Sequence, residues 1–285
     1  MAVRSTIAII GVGLIGGSIG LALRKRNLAQ HIVGIGRSTK TLDRAIQLGC
    51  VTEATTDIAE GVKQAELIVV CTPVETIAQQ VAAAAQHCPQ GSLITDVGST
   101  KAELVAQAET ALADRFATHL PFVGSHPLAG SDKGGAHAAS ADLLEGRIVV
   151  VTATAVSDHD AVDAIEEFWQ ALGARVVRMS PEDHDAALAR TSHLPHLVAS
   201  ALAAATPEAL LSLTATGWHD TTRVAAGDVE LWRQIFLANR APTLKALADF
   251  ERVLARFRTA LETADATLLA ELLAEGKRRR DAVGS

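Results

Sequence analysis

The chain has 285 residues, of which 48% are hydrophobic and 20% charged, and it carries a formal net charge of −6. This composition indicates a water-soluble globular protein with room for two domains, and the negative charge argues against a nucleic-acid partner. No signal peptide is visible, and no apolar run approaches the ~20 residues of a membrane span, so we expect a cytoplasmic protein without membrane contact. Because the three cysteines lack metal-like spacing, we predict neither a disulfide framework nor a bound metal.

A glycine-rich segment near the N-terminus is the first motif. An apolar run at residues 6–10 predicts a buried parallel strand, and a helix is predicted at residues 18–26. The G-x-G-x-x-G pattern between them is typical of a dinucleotide-binding fold, in which the glycines allow a tight turn, approach of a pyrophosphate and close helix–strand packing. The residues of this segment that we predict to bind the cofactor are Gly11, Gly13, Leu14, Ile15 and Gly16.

The end of the second predicted strand, residues 31–36, bears on the choice of cofactor. NAD-binding enzymes usually place an acidic residue here, about 20 residues past the glycines, to bind the ribose 2′-hydroxyl. This chain has Gly36, followed by Arg37 and Ser38. An arginine without a competing carboxylate suits a 2′-phosphate, so we predict NADP as the preferred cofactor over NAD, with Arg37 and Ser38 as contacts. The alternative is a loop that merely faces solvent.

Two further buried strands, at residues 66–71 and 92–97, end in polar side chains. Since the carboxyl ends of parallel strands meet at the ligand-binding edge of the sheet, we expect these ends to line the cofactor site. The residues concerned are Cys71, Thr72, Pro73 and Ser99. Ser99 is also a candidate N-cap for a helix predicted at residues 100–113, and the two roles are compatible.

A histidine near mid-chain is the candidate catalytic group. A strand at residues 121–124 leads into Gly124-Ser125-His126-Pro127-Leu128-Ala129-Gly130, which we interpret as a loop that aims the imidazole of His126. Taken alone, the same pattern suits a structural, hydrogen-bonded histidine. Strands at residues 147–152 and 175–178, with a helix at residues 158–172, complete a first domain of residues 1–180.

The second half, residues 181–285, contains almost no strand pattern. Ala- and Leu-rich helical patterns occupy residues 185–205, 207–214, 230–238, 242–261 and 264–280. The predicted fold class is therefore α/β, with a Rossmann-type dinucleotide-binding domain followed by an all-α helical domain. These helices carry more apolar surface than one protomer covers, so we expect a homodimer through this domain, with a compact monomeric bundle as the alternative.

Polar residues stand out within the helical half. His193 and His196 are three residues apart and share one helix face, and Pro195 between them is expected to kink the helix. No third ligand has convincing spacing for a metal site. Arg223 suits a clamp on a substrate carboxylate, with Arg233 as the next choice.

In this order the segments resemble the prephenate/arogenate dehydrogenases of tyrosine biosynthesis, over nearly the whole chain. The resemblance rests on residues 11–18, 71–73, 96–101, 124–130, 192–196 and 220–223. It implies an NAD(P)-dependent oxidative decarboxylation of prephenate to 4-hydroxyphenylpyruvate, or of arogenate to tyrosine, by a homodimer. Two positions depart from the family pattern: Trp218-His219 stands where an aromatic residue and an arginine are expected, and Gly36 replaces an acidic residue.

The resemblance also implies roles for individual residues. His126 and Ser99 are expected at the ring hydroxyl, and Arg223 at a substrate carboxylate. Because His126 must be neutral to accept the hydroxyl proton, we predict that the rate rises with pH through one group that titrates near neutrality. The further residues expected near the substrate are Ser192, His193, His196, Asp220, Ser131 and Asp132. From its place just past the His126 segment, Asp132 is our candidate for binding the ammonium group that distinguishes arogenate from prephenate, and the alternative is an acidic loop residue that faces solvent.

Rival functions predict different residues. Related dehydrogenases of the 3-hydroxyacid or 6-phosphogluconate type use a lysine base on the interdomain helix, but residues 183–196 contain no lysine. Short-chain dehydrogenases need an active-site tyrosine, and the chain has none. A non-catalytic dinucleotide sensor is the rival from another class, and it has no need for convergent His, Ser and Arg side chains.

Overall fold

The first half of the chain forms one eight-stranded sheet in the order β3-β2-β1-β4-β5-β6-β7-β8. The structure is a computed structural model, and it describes residues 4–113, 116, 120–130 and 134–284. The strands are β1 Arg4–Ile10, β2 Ala29–Ile35, β3 Glu53–Thr55, β4 Leu67–Val70, β5 Leu93–Asp96, β6 Phe122–Pro127, β7 Ile148–Thr152 and β8 Arg175–Met179. The predicted Rossmann-type order is present, since β1 to β6 are mutually parallel and β1 lies between β2 and β4.

Helices cover both faces of this sheet. They are α1 Leu14–Lys25, α2 Thr39–Gln47, α3 Ile58–Val62, α4 Val74–His87, α5 Ala102–Leu112 and α6 His159–Ala171. Apolar residues of α1 and α6 pack against one face, and those of α3, α4 and α5 pack against the other. The predicted α/β fold is therefore confirmed. The sequence reading missed β3 because that strand has only three residues and no buried side chain.

The course of β6 differs from the prediction. We expected His126 in a loop after a strand ending at residue 124, but His126 lies inside β6 and pairs with Val150 of β7. The first half of β6 pairs with β5, and the second half pairs with β7 in an antiparallel manner. Because β7 takes up the hydrogen bonds that β5 no longer supplies, the strand continues through Pro127. The backbone of His126 is thus fixed by the sheet.

The second half is helical, as predicted. Its α-helices are α7 Pro181–Leu188, α8 Leu194–Ala205, α9 Thr216–Thr222, α10 Val229–Ala238, α11 Arg240–Glu262 and α12 Ala266–Asp281. A π-helical turn, Ala189–His193, joins α7 to α8 and precedes Pro195, so the predicted distortion takes the form of a wide turn. The helix predicted at residues 207–214 is instead a 3₁₀ turn, Glu208–Leu213. No helix in the described parts of the chain has the length and apolarity to cross a membrane.

Candidate active site

A cavity of about 440 Å³ opens at the carboxyl ends of β1, β2 and β4. Among the predicted cofactor-binding residues, its lining includes Gly11, Gly13, Arg37, Ser38, Cys71, Thr72 and Pro73. Leu14, Ile15 and Gly16 begin α1 behind it. The fold therefore brings predicted cofactor-binding residues from three separate segments of the chain to one cavity.

The glycines of this cavity have distinct steric roles. Gly11 has a φ of +95°, and a Cβ there would lie 2.6 Å from the carbonyl oxygen of Cys71. A Cβ on Gly16 would lie 2.2 Å from the carbonyl oxygen of Gly11, so α1 can approach the turn only with glycine at this position. Gly13 faces open space, and α1 begins there without a side-chain cap. Exposed N–H groups at a helix start beside open space fit a pyrophosphate.

Arg37 and Ser38 lie at the rim of the cavity beside α2. Both are exposed, and the Ser38 hydroxyl accepts a hydrogen bond from the backbone N–H of Thr41 at 3.4 Å. Ser38 is therefore the N-cap of α2, a role that the sequence reading did not assign. Among the described residues that line the cavity, Arg37 is the one with a charged side chain.

A buried ion pair joins the end of β5 to the residue that precedes α5. Lys101 Nζ lies 2.7 Å from Asp96 Oδ2, and both side chains are fully buried. Asp96 also accepts hydrogen bonds from the backbone N–H groups of Gly98 at 2.7 Å and Ser125 at 3.0 Å. The carboxylate thereby fixes the segment that carries Ser99 next to the strand that carries His126.

The prediction that Ser99 caps α5 is wrong. The helix begins at Ala102, and the carboxylate that caps it belongs to Asp185 on α7. Asp185 accepts from the backbone N–H groups of Lys101 at 2.8 Å and Ala102 at 2.9 Å. A carboxylate that reaches across the domain boundary satisfies both N–H groups and suits the positive end of the helix dipole. Ser99 is left in the turn before the helix, partly exposed.

His126 is the first member of a short hydrogen-bonded series. Its Nδ1 lies 2.9 Å from Nε2 of His184, whose Nδ1 lies 2.7 Å from Oδ1 of Asp185. His126 is partly exposed, whereas His184 is fully buried. Burial is the main reason that the pKa of His126 lies well below its ordinary value, and proximity to His184 and Lys101 lowers it further. His126 is therefore neutral at neutral pH, and any step in activity due to it falls at a lower pH than we predicted from the sequence.

The two histidines of the helical half are buried and lie among aromatic rings. His193 Nδ1 lies 3.0 Å from Nδ2 of Asn239, and burial lowers the pKa of His193 to about 4. The ring of His196 stacks on that of Trp232, with centroids 3.6 Å apart. Asn239 also donates to the backbone carbonyl of Asp185 at 2.8 Å, which ties His193 to the same helix end as His184.

In the described parts of the chain, no hydrogen bond or ring contact joins Arg223, Asp220 or Ser192 to this cluster. Arg223 and Asp220 are exposed, although the 3₁₀ turn Arg223–Ala226 packs on α8 near His196. Ser192 is partly exposed in the π-helical turn. Ser131 and Asp132 lie outside the described residues. The other candidate clamp is Arg233, which forms ion pairs with Glu230 at 2.6 Å and Glu75 at 3.4 Å.

Sequence reasoning missed several groups that surround His126. The sequence analysis assigned no role to His184, Asp185 or Asn239, and it gave none to the Asp96–Lys101 pair. The adjacent His-Asp pair at the domain boundary was the one available signal. Their convergence depends on the crossing of α7 over the start of α5, which spacing alone does not specify.

Comparison with known proteins places the chain in one family. Residues 19–178 match the family model described as prephenate dehydrogenase, nucleotide-binding domain. Residues 180–275 match the model described as prephenate dehydrogenase, dimerization domain. Together these matches cover both halves of the fold.

Individual relatives agree with the family models. The chain is 36% identical to a prephenate dehydrogenase of Bacillus subtilis, over 98% of this chain and 76% of the relative. It is 34% identical to a cyclohexadienyl dehydrogenase of Zymomonas mobilis, over 98% and 96% of the two chains. A crystal structure of prephenate dehydrogenase from Aquifex aeolicus, in complex with hydroxyphenyl propionate and NAD+, superimposes with a TM-score of 0.90 at 32% identity, covering 98% of each chain. Synechocystis arogenate dehydrogenase gives a TM-score of 0.84 at 28% identity, covering 98% and 99%. The sequence matches and the likeness of the folds agree, and the chain belongs to the prephenate dehydrogenase family.

Proposed function

We propose that the chain catalyses the oxidative decarboxylation of prephenate to 4-hydroxyphenylpyruvate with NAD(P), as a step of tyrosine biosynthesis. The observation that carries this proposal is the placement of His126 at the carboxyl end of β6, partly exposed and held neutral. Family membership supports it, as do the names of the Bacillus and Aquifex relatives.

The reaction assigns a task to each group. When bound in the cavity lined by Gly11, Gly13 and Arg37, NAD(P) would supply the hydride acceptor for the ring carbon that bears the hydroxyl. Neutral His126 takes the hydroxyl proton as the ring carbonyl forms, and Ser99 in the neighbouring turn hydrogen-bonds the same oxygen. When the ring carboxylate leaves as CO2, the electron pair of the broken bond aromatises the ring. The resulting phenolate oxygen then takes the proton back, so the reaction needs no separate acid.

The substrate carboxylates need cationic partners outside the histidine cluster. Arg223 is the proposed clamp, since a guanidinium binds a carboxylate through two parallel hydrogen bonds. Its exposure in one protomer suits a group that contacts a substrate or a partner subunit. Ser192, His193, His196 and Asp220 are proposed to surround the substrate, with His193 and His196 neutral because burial lowers the pKa of both.

NADP is proposed as the preferred cofactor, with NAD as the alternative. The cavity rim offers the Arg37 guanidinium and a small Gly36, and it offers no carboxylate at the position that usually selects NAD. The Aquifex relative was crystallised with NAD+, so the rim residues carry this part of the proposal for the present chain.

A homodimer is proposed through a helical domain of residues 181–285, with the dinucleotide-binding domain ending at residue 180. The boundary rests on β8 ending at Met179 and α7 beginning at Pro181. Apolar side chains of the helical half are exposed in one protomer, among them Leu213 at 77%, Val229 at 83% and Leu261 at 67%. Burying such residues is a common driving force for association.

We also propose a cytoplasmic location and no nucleic-acid partner, the latter because the net charge is −6.

The second candidate function is arogenate dehydrogenase, which forms tyrosine directly. The structural likeness to the Synechocystis arogenate dehydrogenase favours it. Asp132, with Ser131 beside it, is the proposed group that would bind the arogenate ammonium.

One experiment tests both candidates. The purified protein is incubated with prephenate or with arogenate, each with NAD+ or NADP+, and the products are identified by mass spectrometry. The proposal expects 4-hydroxyphenylpyruvate, CO2 and reduced cofactor from prephenate. Tyrosine formed only from arogenate would replace the first candidate with the second, and no reduced cofactor from either substrate would contradict both.

A further inference from the structure

His126, His184 and Asp185 form a series that crosses the domain boundary. His126 lies on β6 of the nucleotide-binding half, whereas His184 and Asp185 lie on α7 of the helical half. The two ring nitrogens are 2.9 Å apart, and the second ring is 2.7 Å from the carboxylate. Both contacts have hydrogen-bond length, so a proton must lie between the members of each pair.

The positions of these protons follow from the carboxylate end. Burial acts to raise the pKa of Asp185, but the hydrogen bonds from His184 and from two backbone N–H groups outweigh it, so the pKa is lowered and the group is ionised. An ionised carboxylate only accepts, and therefore Nδ1 of His184 carries a proton. Burial lowers the pKa of His184, so the ring is neutral and its Nε2 is an acceptor.

The tautomer of His126 follows from that of His184. Because Nε2 of His184 accepts, Nδ1 of His126 must donate, and the neutral His126 ring then has its lone pair on Nε2. We infer that His184, held by Asp185, is a positioning residue that fixes His126 in the Nδ1–H form, so that Nε2 is the atom that accepts the substrate's hydroxyl proton. This inference rests on the proposed function only for the identity of the donor hydroxyl.

The surroundings favour this arrangement when His126 becomes positive. The charged and titratable groups around the pair are Asp96 at the end of β5, Lys101 before α5, Asp185 on α7 and His193 in the π-helical turn. Lys101 is paired with Asp96, which limits its repulsion of an imidazolium. The positive charge on His126 is stabilised through His184 by Asp185, because the intervening neutral ring accepts at one nitrogen and donates at the other.

Asp185 has a second task that makes the arrangement dependent on domain position. Its two carboxylate oxygens also cap α5, so a displacement of α7 would disturb the helix cap and the histidine pair together. Asn239 on the segment between α10 and α11 holds the backbone carbonyl of Asp185 at 2.8 Å. The tautomer of His126 is thus set by residues of the helical half.

The proton positions can be measured without substrate. Long-range ¹H–¹⁵N correlation spectra of the ¹⁵N-labelled protein at neutral pH distinguish Nδ1–H from Nε2–H rings, and the two signals are assigned by their loss in His126→Gln and His184→Gln. The inference expects Nδ1–H rings for both residues in the wild-type protein. In His184→Leu, it expects the ring of His126 to populate both the Nδ1–H and the Nε2–H forms. An Nε2–H ring at His126 in the wild type would overturn it.

Kinetics of matched variants provide the second test. His184→Leu leaves the Nδ1–H of His126 without an acceptor, and an unsatisfied buried donor lowers kcat by roughly 10- to 100-fold, with little change in cofactor KM. In His184→Gln the amide oxygen accepts that hydrogen bond, so most of kcat returns. The control is His87→Gln at the exposed end of α4, which should match the wild type. Equal activity of His184→Leu and the wild type, or no recovery in a folded His184→Gln protein, would overturn the inference.

The two proposals fail in different ways. If the wild type oxidises neither prephenate nor arogenate, the proposed function fails, and the spectra still decide the tautomer of His126. If the wild type is active but His126 carries its proton on Nε2, the positioning role of His184 fails alone.

Discussion

Replacement of Lys101 by methionine should destabilise the protein because it leaves the Asp96 carboxylate buried without its counter-ion. Both side chains are fully buried, and Nζ and Oδ2 are 2.7 Å apart. Methionine has a similar length and fills the same space, so the change removes the charge with little change in packing. The effect therefore reports mainly the cost of leaving the Asp96 carboxylate buried without its counter-ion.

The size of the stability loss depends on the hydrogen bonds that Asp96 retains in the variant. Breaking a buried pair by removing one partner typically costs about 3–5 kcal/mol. Asp96 retains two backbone N–H donors, from Gly98 and Ser125, so we expect the lower end, about 3 kcal/mol. The double variant Asp96→Asn/Lys101→Met removes both charges and should recover about 1–2 kcal/mol of this loss.

Urea unfolding at one fixed protein concentration measures these differences through the midpoint and the slope of the transition. The matched control is Lys63→Met, since Lys63 forms an exposed ion pair with Glu60 and its replacement should leave stability almost unchanged. A loss of under about 1 kcal/mol in Lys101→Met, or a double variant less stable than the single one, would refute this account of the pair.

Three further predictions concern the cofactor, the substrate and the assembly. Arg37→Ala should lower kcat/KM with NADP by roughly tenfold or more and leave NAD little changed, because a charge-assisted contact of ~1.5–3 kcal/mol is lost; steady-state kinetics with an equal loss for both cofactors would contradict it. Arg223→Gln should raise substrate KM strongly while cofactor binding, measured by fluorescence titration, stays constant; an unchanged KM would transfer the clamp to Arg233. Light scattering should give about twice the chain mass of 29.8 kDa, and an active monomer at every concentration would contradict the dimer.

Local sequence patterns predicted the scaffold of the site well. The buried strands and the glycine turn have short-range signals, since β-branched runs and glycine spacing report directly on backbone conformation. For that reason the cavity residues Gly11, Gly13, Cys71 and Thr72 could be predicted to lie together.

Local sequence patterns did not predict the long-range contacts of the site. The continuation of β6 through His126 depends on antiparallel pairing with β7, and the cap of α5 comes from a residue 83 positions away. Nothing in the local sequence at residues 99–102 indicates that the distant Asp185, and not Ser99, caps the helix. The pKa of His126 likewise depends on burial beside His184 and Lys101, which only the folded chain provides.

The pH dependence of kcat in His126→Asn, compared with the wild type, tests the proposed role of His126 most directly. Because the pKa of His126 lies well below its ordinary value, the wild-type kcat should be constant through neutral pH and fall only under acidic conditions, as the ring becomes protonated and can no longer accept. Asparagine keeps the hydrogen bonding but cannot take a proton, so kcat should fall by about 10²–10⁴-fold, the acid step should vanish and substrate KM should change little. Retention of most of kcat, or of the acid step, in His126→Asn would contradict the assignment of His126 as the proton acceptor.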